Sequence, residues 1–197
     1  MSSFKLPDEV VTRFAAAMDR VRATDLAEPT AVVLATADAS GQPSSRTVLL
    51  KSVDARGFVF YTNTRSRKGR QLAENPRASL TFYWPPLAEQ VQAEGRIEPV
   101  AVAEADEYWA TRDRGSQVGA WASDQSQPLG AREELEARVA EFDKKFDGAP
   151  VPRPPHWSGF RLVPERVEFW KGQASRLHDR ELWERDGDRW AKRFLNP

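Results

Sequence analysis

Cysteine is absent from these 197 residues, and histidine and methionine each occur twice. Without thiols the chain can build neither a disulfide framework nor a thiolate metal site. Two histidines fall short of an ordinary zinc or iron ligand set, so no metal is expected. A chain without cysteine suits a reducing compartment. Long apolar runs are missing too: none approaches the ~20 residues of a membrane span, and the opening Met1-Ser2-Ser3-Phe4-Lys5-Leu6-Pro7 has no apolar signal core. The expectation is a soluble cytoplasmic protein with no membrane contact. Neither charge is in excess, since Lys+Arg and Asp+Glu are 29 each. A nucleic-acid surface normally carries a net basic balance, so nucleic acid is not an expected partner. Local cation clusters on a neutral chain point instead to a small anionic ligand.

Aromatics are plentiful: seven Trp and ten Phe exceed what a minimal core requires, and some are expected to face a planar ligand or a partner subunit. The length suits one domain, residues 1–197, that removes roughly 70% of its unfolded surface from water.

The stretch from Ser44 to Arg70 organises the rest. Val48-Leu49-Leu50 and Phe58-Val59-Phe60-Tyr61 are rich in strand formers, and Asp54-Ala55-Arg56-Gly57 between them has turn chemistry, which predicts a hairpin. Ser66 then caps a helix running to about Glu74, where Asn75-Pro76 stops it. Arg65, Arg67, Lys68 and Arg70 crowd that helix start. Cations there oppose the macrodipole and cost roughly 0.3 to 1 kcal/mol each, whereas an anion is favoured by the dipole and the free N–H groups together. Two readings stay open, a phosphate site and a solvated basic surface. Because side chains alternate along a strand, Arg46 and Lys51 are expected on opposite sides and about 17 Å apart, serving different anions if any.

Around this stretch the pattern predicts a helix over about 7–23 with Val11, Phe14, Met18 and Val21 on one apolar face. Ala31 to Ala35 reads as a strand buried on both faces, and Ala78 to Tyr83 as another. After Trp84-Pro85-Pro86, inward Val91, Ala93 and Ile97 alternate with Gln90, Gln92, Glu94 and Arg96, which leaves Gln90 facing outward toward a ligand or toward solvent. Ala103 to about Thr111 is helical, Tyr108 and Arg112 are four apart on one face, and Ser116 lies just past the helix end. A phenol, a guanidinium and a hydroxyl brought together would clamp a phosphate, although spacing alone does not establish it. Gly115 to Trp121 suits a short helix and Ser123 to Pro128 a polar loop. Leu135, Val139, Phe142 and Phe146 form a packing stripe on a charged helix over Ala131 to Phe146, followed by an irregular proline-rich connection. A strand from Phe160 to Trp170, bent or bulged at Pro164, puts Trp170 on the face opposite Val167 and Phe169, and a hairpin at Asp186-Gly187-Asp188 closes the chain.

Arg176-Leu177-His178-Asp179-Arg180 lies between these strands. If extended, it places Arg176, His178 and Arg180 on one face, with His178 as a hydrogen-bonding or proton-handling residue. With Val167-Glu168-Phe169-Trp170 before it, the segment resembles the C-terminal motif of the pyridoxamine (pyridoxine) 5'-phosphate oxidase family. The resemblance runs from about Glu28 to Pro197. It takes in Arg46 to Lys51, Phe58 to Thr62, Ser66-Arg67-Lys68, Glu89-Gln90-Val91, Arg112 to Trp121, Gln125-Ser126 and Pro154-Pro155-His156-Trp157.

The resemblance implies a mainly β fold with flanking helices (α+β), an FMN-binding split β-barrel, whose N-terminal helix and C-terminal strands (about 158–196) complete the site. It implies a homodimer with two flavin sites at the shared interface. The flavin mononucleotide (FMN) residues would be Arg46, Thr47, Val48, Leu49, Leu50, Lys51, Tyr61, Thr62, Arg67, Lys68, Gln90, Gln125, Ser126, Trp170 and Arg180. Lys51, Tyr108, Arg112 and Ser116 would hold the substrate phosphate, with Arg176, Leu177 and His178 around the substrate ring and Arg176 and His178 as the catalytic pair. The implied reaction oxidises pyridoxine or pyridoxamine 5'-phosphate to pyridoxal 5'-phosphate, and oxygen becomes hydrogen peroxide. Two features depart from the family: only about six residues precede the first helix, so closure over the substrate is expected to be looser, and Glu28 stands where the family often has Asp. The rival readings are a split-barrel flavoprotein of flavin reductase type and a protein that holds pyridoxal 5'-phosphate without turnover.

Overall fold

The computed structural model describes residues 5–197, so the first four residues of the opening stretch lie outside the described residues. The chain forms α1 (Asp8–Arg22), β1 (Ala31–Ala37), β2 (Pro43–Asp54), β3 (Gly57–Asn63), α2 (Arg67–Glu74), β4 (Arg77–Trp84) and β5 (Glu89–Pro99). It continues through α3 (Val102–Ala110), α4 (Arg114–Ala122), α5 (Arg132–Lys145), β6 (Trp157–Lys171), β7 (Asp179–Asp186) and β8 (Arg189–Phe194). Antiparallel pairing in the order β3-β2-β1-β4-β5-β6, closed by β3 on β6, makes a six-stranded barrel. Strands β7 and β8 extend the sheet beyond it. This is the split barrel expected from the sequence.

The long β6 performs the split. Its Trp157 to Leu162 half pairs with β3, and its Arg166 to Lys171 half pairs with β7 along the same edge. Between the halves the register against β5 slips, with Glu94 opposite Arg166 but Gly95 opposite Pro164. Pro164 has no N–H for the ladder, so the expected bulge falls where a lost hydrogen bond costs least. Gly95 is required there: a Cβ would lie 2.1 Å from the Val163 carbonyl oxygen. Gly95→Ala is therefore expected to destabilise the protein by about 2 kcal/mol through overpacking against backbone that cannot yield, read as a lower denaturation midpoint in urea.

Helix α1 closes the barrel core. Phe14 sits edge-on to Phe58 and Phe82 at centroid distances of 5.2 and 5.1 Å, an arrangement aromatic rings prefer. Val10, Phe14, Ala17, Met18 and Val21 are buried, whereas Val11 is only half-buried, so the deep face is rotated slightly from the one the spacing suggested. Strand β1 also differs from expectation. Val32, Leu34 and Thr36 are buried, but Val33 is 43% exposed, because the barrel covers only one face of each strand. On α5 no residue is fully buried; its stripe leans on α4, where Trp121 meets Phe142 and Phe146. Glu28 folds back on the next turn, its carboxylate accepting from the Thr30 N–H and hydroxyl.

Two anchors aim the helices at the barrel mouth. Buried Arg161 donates to Glu104 of α3 at 2.6 Å and to Asp54 of the β2–β3 hairpin at 3.2 Å. Indole N–H groups of Trp109 and Trp121 donate to the Val151 and Pro152 carbonyls, pinning the proline-rich connection beneath α3 and α4. Among the described residues no helix is long and apolar enough to cross a membrane.

Candidate active site

Strand β2 pairs with β1 from Pro43 to Leu49, while β3 takes the other edge only from Leu50 onward. The second edge of the 43–49 segment therefore has no strand partner among the described residues, and its N–H and C=O groups must be satisfied by something other than protein ladder. That edge lines a cavity of about 960 Å³, together with the end of β3, the start of α2, the α3–α4 corner and the loop holding Gln125 and Ser126. The cavity collects Arg46, Thr47, Val48, Leu49, Lys51, Tyr61, Thr62, Arg67, Lys68, Tyr108, Arg112, Ser116, Gln125 and Ser126, all singled out from the sequence.

Arg46 and Lys51 stand at opposite parities of β2, as expected, yet both reach this cavity, because it wraps the free edge and takes Ser45, Thr47 and Leu49 as well as Ser44, Arg46 and Val48. Leu50 pairs with Phe60 and Ser52 with Val59, so Lys51 is the extra residue of a bulge, and strict alternation ends there. Leu50 itself turns into the core, 7% exposed, and does not line the cavity.

At one pole, Ser66 caps α2 by accepting from the Gly69 N–H. Lys68 folds back over this helix start, its ammonium donating to Thr62 Oγ1 at 3.0 Å, Gln125 Oε1 at 2.8 Å and Ser66 Oγ at 3.2 Å. All three acceptors are neutral. Burial, reinforced by the nearby Arg46 charge, pushes the Lys68 pKa down to about 8. Burial and the Arg67 charge likewise lower the pKa of Arg46. Of the four clustered cations, Arg67 and Lys68 line the cavity, whereas Arg65 and Arg70 are exposed outside it. The cluster thus divides into two cations at the cavity and two on the surface outside it.

At the other pole, α3 ends at Ala110, and Arg112 sits in the corner before α4. Ser116, past the end of α3 as expected, is in the first turn of α4, and Asp113 caps that turn by accepting from the Ser116 N–H at 2.8 Å. A tight corner, not helical periodicity, brings Tyr108, Arg112 and Ser116 to one wall. The Arg112 guanidinium lies 4.8 Å from the Trp157 ring centre and 5.5 Å from that of Trp109, and donates to the Ser116 carbonyl at 2.9 Å. Its Nε is buried without a partner. Between the poles, Tyr61 stacks on Tyr108 at 4.2 Å and on Trp157 at 5.2 Å. Burial, helped by the charge of Glu104, pushes the Tyr61 phenol up to about 12, so it stays protonated at neutral pH.

Among the described residues none of Arg46, Lys51, Arg67, Lys68 and Arg112 has a carboxylate within ion-pair distance. The usual fate of partly buried cations is pairing, so Arg46, Lys68 and Arg112 unpaired in one cavity, with exposed Lys51 and Arg67 beside them and an orphaned Arg112 Nε, suit a ligand carrying anionic groups. The donors also suit FMN: cations and a helix start for a phosphate, a free strand edge for the heteroatoms of a planar ring.

Gln90, Trp170 and Arg180 do not line this cavity. They lie side by side across β5, β6 and β7, where Arg180 forks the Glu168 carboxylate at 2.7 and 3.0 Å. Arg176, Leu177 and His178 also lie outside the cavity, in the β6–β7 connection. The extended backbone considered for them is absent: Ala174 to Arg176 form a 3-10 turn with Ser175 and Arg176 left-handed, at φ of 55° and 61°. Arg176 and Leu177 are exposed, while His178 lies against the Trp170 ring at 4.7 Å and its Nδ1 accepts from the Gln173 N–H at 3.1 Å. Sequence reasoning gave no role to Trp157, which closes the aromatic wall. Its place in the Pro154-Pro155-His156-Trp157 motif was the available signal.

A family model described as pyridoxamine 5'-phosphate oxidase matches residues 18–146, and one described as the pyridoxine 5'-phosphate oxidase C-terminal dimerisation region matches residues 157–197. A Myxococcus xanthus (strain DK1622) protein named pyridoxine/pyridoxamine 5'-phosphate oxidase is 58% identical over 192 residues, covering 98% of this chain and 93% of that protein. One of the same name from Alkalilimnicola ehrlichii is 56% identical over 195 residues, covering 98% and 100%. Among solved structures, PhzG from Burkholderia lata 383, in complex with tetrahydrophenazine-1-carboxylic acid, superposes with a TM-score of 0.89 at 38% identity, covering 98% of this chain and 93% of that one.

Proposed function

Since the chain belongs to the pyridoxamine 5'-phosphate oxidase family, we propose that it is an FMN-dependent oxidase converting pyridoxine or pyridoxamine 5'-phosphate to pyridoxal 5'-phosphate. The observation that carries this is the single cavity with two cationic poles, none of whose cations has a carboxylate partner among the described residues. Two poles fit two phosphates, one on the cofactor and one on the substrate. Arg46, Arg67 and Lys68 with the α2 start would hold the cofactor phosphate, and the β2 edge offers backbone donors and acceptors to the flavin ring. Lys51, Tyr108, Arg112 and Ser116 would hold the substrate phosphate. Bound FMN would supply the redox chemistry, a two-electron oxidation at substrate C4' with oxygen reduced to hydrogen peroxide, water then hydrolysing the imine from the amine substrate with release of ammonia.

The reading includes a homodimer. The dimerisation-region match covers β6 to β8, the strands that carry Trp170, Arg176, His178 and Arg180 outside the cavity. Exposed Arg176 and Leu177 suit a segment that completes the site of a second subunit, with Gln90 beside Trp170. Residues 1–197 then act as one domain whose N-terminal helix and C-terminal strands complete the site, and a cysteine-free enzyme of this kind belongs in the cytoplasm.

A second reading, favoured by the likeness to PhzG, is a flavoprotein of the same fold acting on a larger aromatic acid. Anaerobic titration with pyridoxine 5'-phosphate separates the two. Bleaching of the oxidised-flavin absorbance, and its recovery with peroxide release on admitting air, is the expected result. A yellow protein that never bleaches would move the reaction to another substrate, and product binding without peroxide would leave only a carrier. Arg176→Ala is expected to retain the yellow cofactor while kcat/KM falls by about tenfold or more, the scale of one lost charge-assisted contact to substrate. Full activity in that variant would remove Arg176 from the site.

A further inference from the structure

Behind Arg46 lies a polar group that the site described above does not include. Gln71 is on α2, one turn beyond Lys68, and its side chain is 5% exposed. A guanidinium can only donate. Arg46 Nη1 donates to Thr36 Oγ1 at 2.7 Å and to the Leu34 carbonyl at 3.2 Å, and Nη2 donates to Ser44 Oγ at 2.6 Å. Both hydroxyls already accept from the guanidinium, so their own protons turn to the next acceptor. For each, that acceptor is Gln71 Oε1, at 2.6 Å from Thr36 and 2.8 Å from Ser44. The two arms of Arg46 thus converge on one amide oxygen, which also lies 3.4 Å from Nη2.

The network contains no carboxylate. A glutamate at this position would offer the same acceptor geometry but would offset the Arg46 charge inside a buried site, where water screens little. A neutral acceptor fixes the guanidinium and leaves its charge available to the cavity.

We propose that Gln71 is a positioning residue for the cofactor: it locks Arg46 against the phosphate pole formed with Arg67 and Lys68 and, being neutral, keeps that pole fully cationic. Its place on the helix that also carries Lys68 ties the two cations to one rigid element. The inference rests on the FMN reading above and adds to it a residue that never touches the ligand.

The test titrates apoprotein with FMN and, separately, with riboflavin, which has the same ring and no phosphate, following flavin fluorescence. Gln71→Met is expected to weaken FMN binding by roughly tenfold or more, with riboflavin changed less than about twofold, and to cause no further loss in an Arg46→Ala background because its effect passes through Arg46. Gln71→Glu keeps the acceptor, and so the fold, and is expected to weaken FMN by a similar factor with a thermal midpoint no lower than the parent's. Parent-like FMN affinity in Gln71→Glu overturns the proposal. So does a Gln71→Met effect that is equal for riboflavin or persists undiminished without Arg46. A parent that binds FMN beside indifferent variants overturns this inference alone, whereas a parent that binds neither flavin overturns the cofactor reading and this inference with it.

Discussion

Replacing Lys68 with methionine is expected to weaken FMN binding by about 100-fold while leaving the apoprotein at least as stable as the parent. The two halves of this result have one cause. In the apoprotein the Lys68 ammonium is buried among Thr62, Ser66 and Gln125, which are hydrogen-bond acceptors without charge. Such an arrangement satisfies its donors but does not repay its desolvation, so an apolar side chain of similar length removes a cost. With a phosphate present the same ammonium makes a charge-assisted bond worth about 1.5 to 3 kcal/mol, which methionine cannot replace. Isothermal titration with FMN and a thermal melt of the apoprotein read the two effects separately. A variant that retained FMN as the parent does would remove Lys68 from the phosphate pole.

Lys68 also sets a pH dependence whose sign follows from the direction of its shift. Burial lowers its pKa in the folded apoprotein from 10.5 to about 8. Between those values the unfolded chain holds the proton and the folded chain has released it, so the stability of the apoprotein rises with pH through this window. The stabilisation is absent below pH 8 and complete above about 10.5. FMN affinity moves the opposite way, weakening above pH 8 as the ammonium that the phosphate requires is lost. In Lys68→Met both slopes are expected to flatten, measured as the difference between parent and variant at pH 7 and 9.5.

Under the proposed activity, Arg112→Ala is expected to lower kcat/KM for pyridoxine 5'-phosphate by about 100-fold, mostly through KM, and to leave any oxidation of unphosphorylated pyridoxine within about threefold of the parent. Arg112 is held between the Trp157 and Trp109 rings, 4.8 and 5.5 Å from their centres, and its buried Nε has no hydrogen-bond partner among the described residues. A guanidinium so fixed loses little entropy on meeting a phosphate, which is why its removal should matter more than that of a free surface arginine. The aromatic contacts are retained by Arg112→Lys only in part, since an ammonium presents a point charge and no planar fork. An equal loss for the phosphorylated and unphosphorylated substrates would show that Arg112 supports the cavity wall and not the phosphate.

What the chain alone determined was local chemistry. The Ser66 cap and the Asn75-Pro76 stop bound α2, the alternation of β5 separates Val91, Ala93 and Ile97 from Gln90 and Gln92, and Pro164 marks the bulge in β6. Each rests on interactions within a few residues, so the signal and its consequence lie in the same stretch. The basic cluster left an anion site and a solvated surface both open, and the missing thiols excluded thiolate metal sites. The tertiary structure decided which side chains meet. Lys51 joins Arg46 because β3 leaves the 43–49 edge of β2 free and the cavity wraps around that edge, while Leu50 continues the inward alternation of Ser44, Arg46 and Val48 into the core. Ser116 reaches the Arg112 wall through a corner between two helices, and Trp157 enters the cavity because β6 closes the barrel against β3. Likewise Arg176 and His178 leave the extended path only because a left-handed turn separates β6 from β7. Pairing partners and chain corners are set by contacts between residues far apart in sequence. A strand's own periodicity can say that a side chain alternates, but only barrel closure says what it faces.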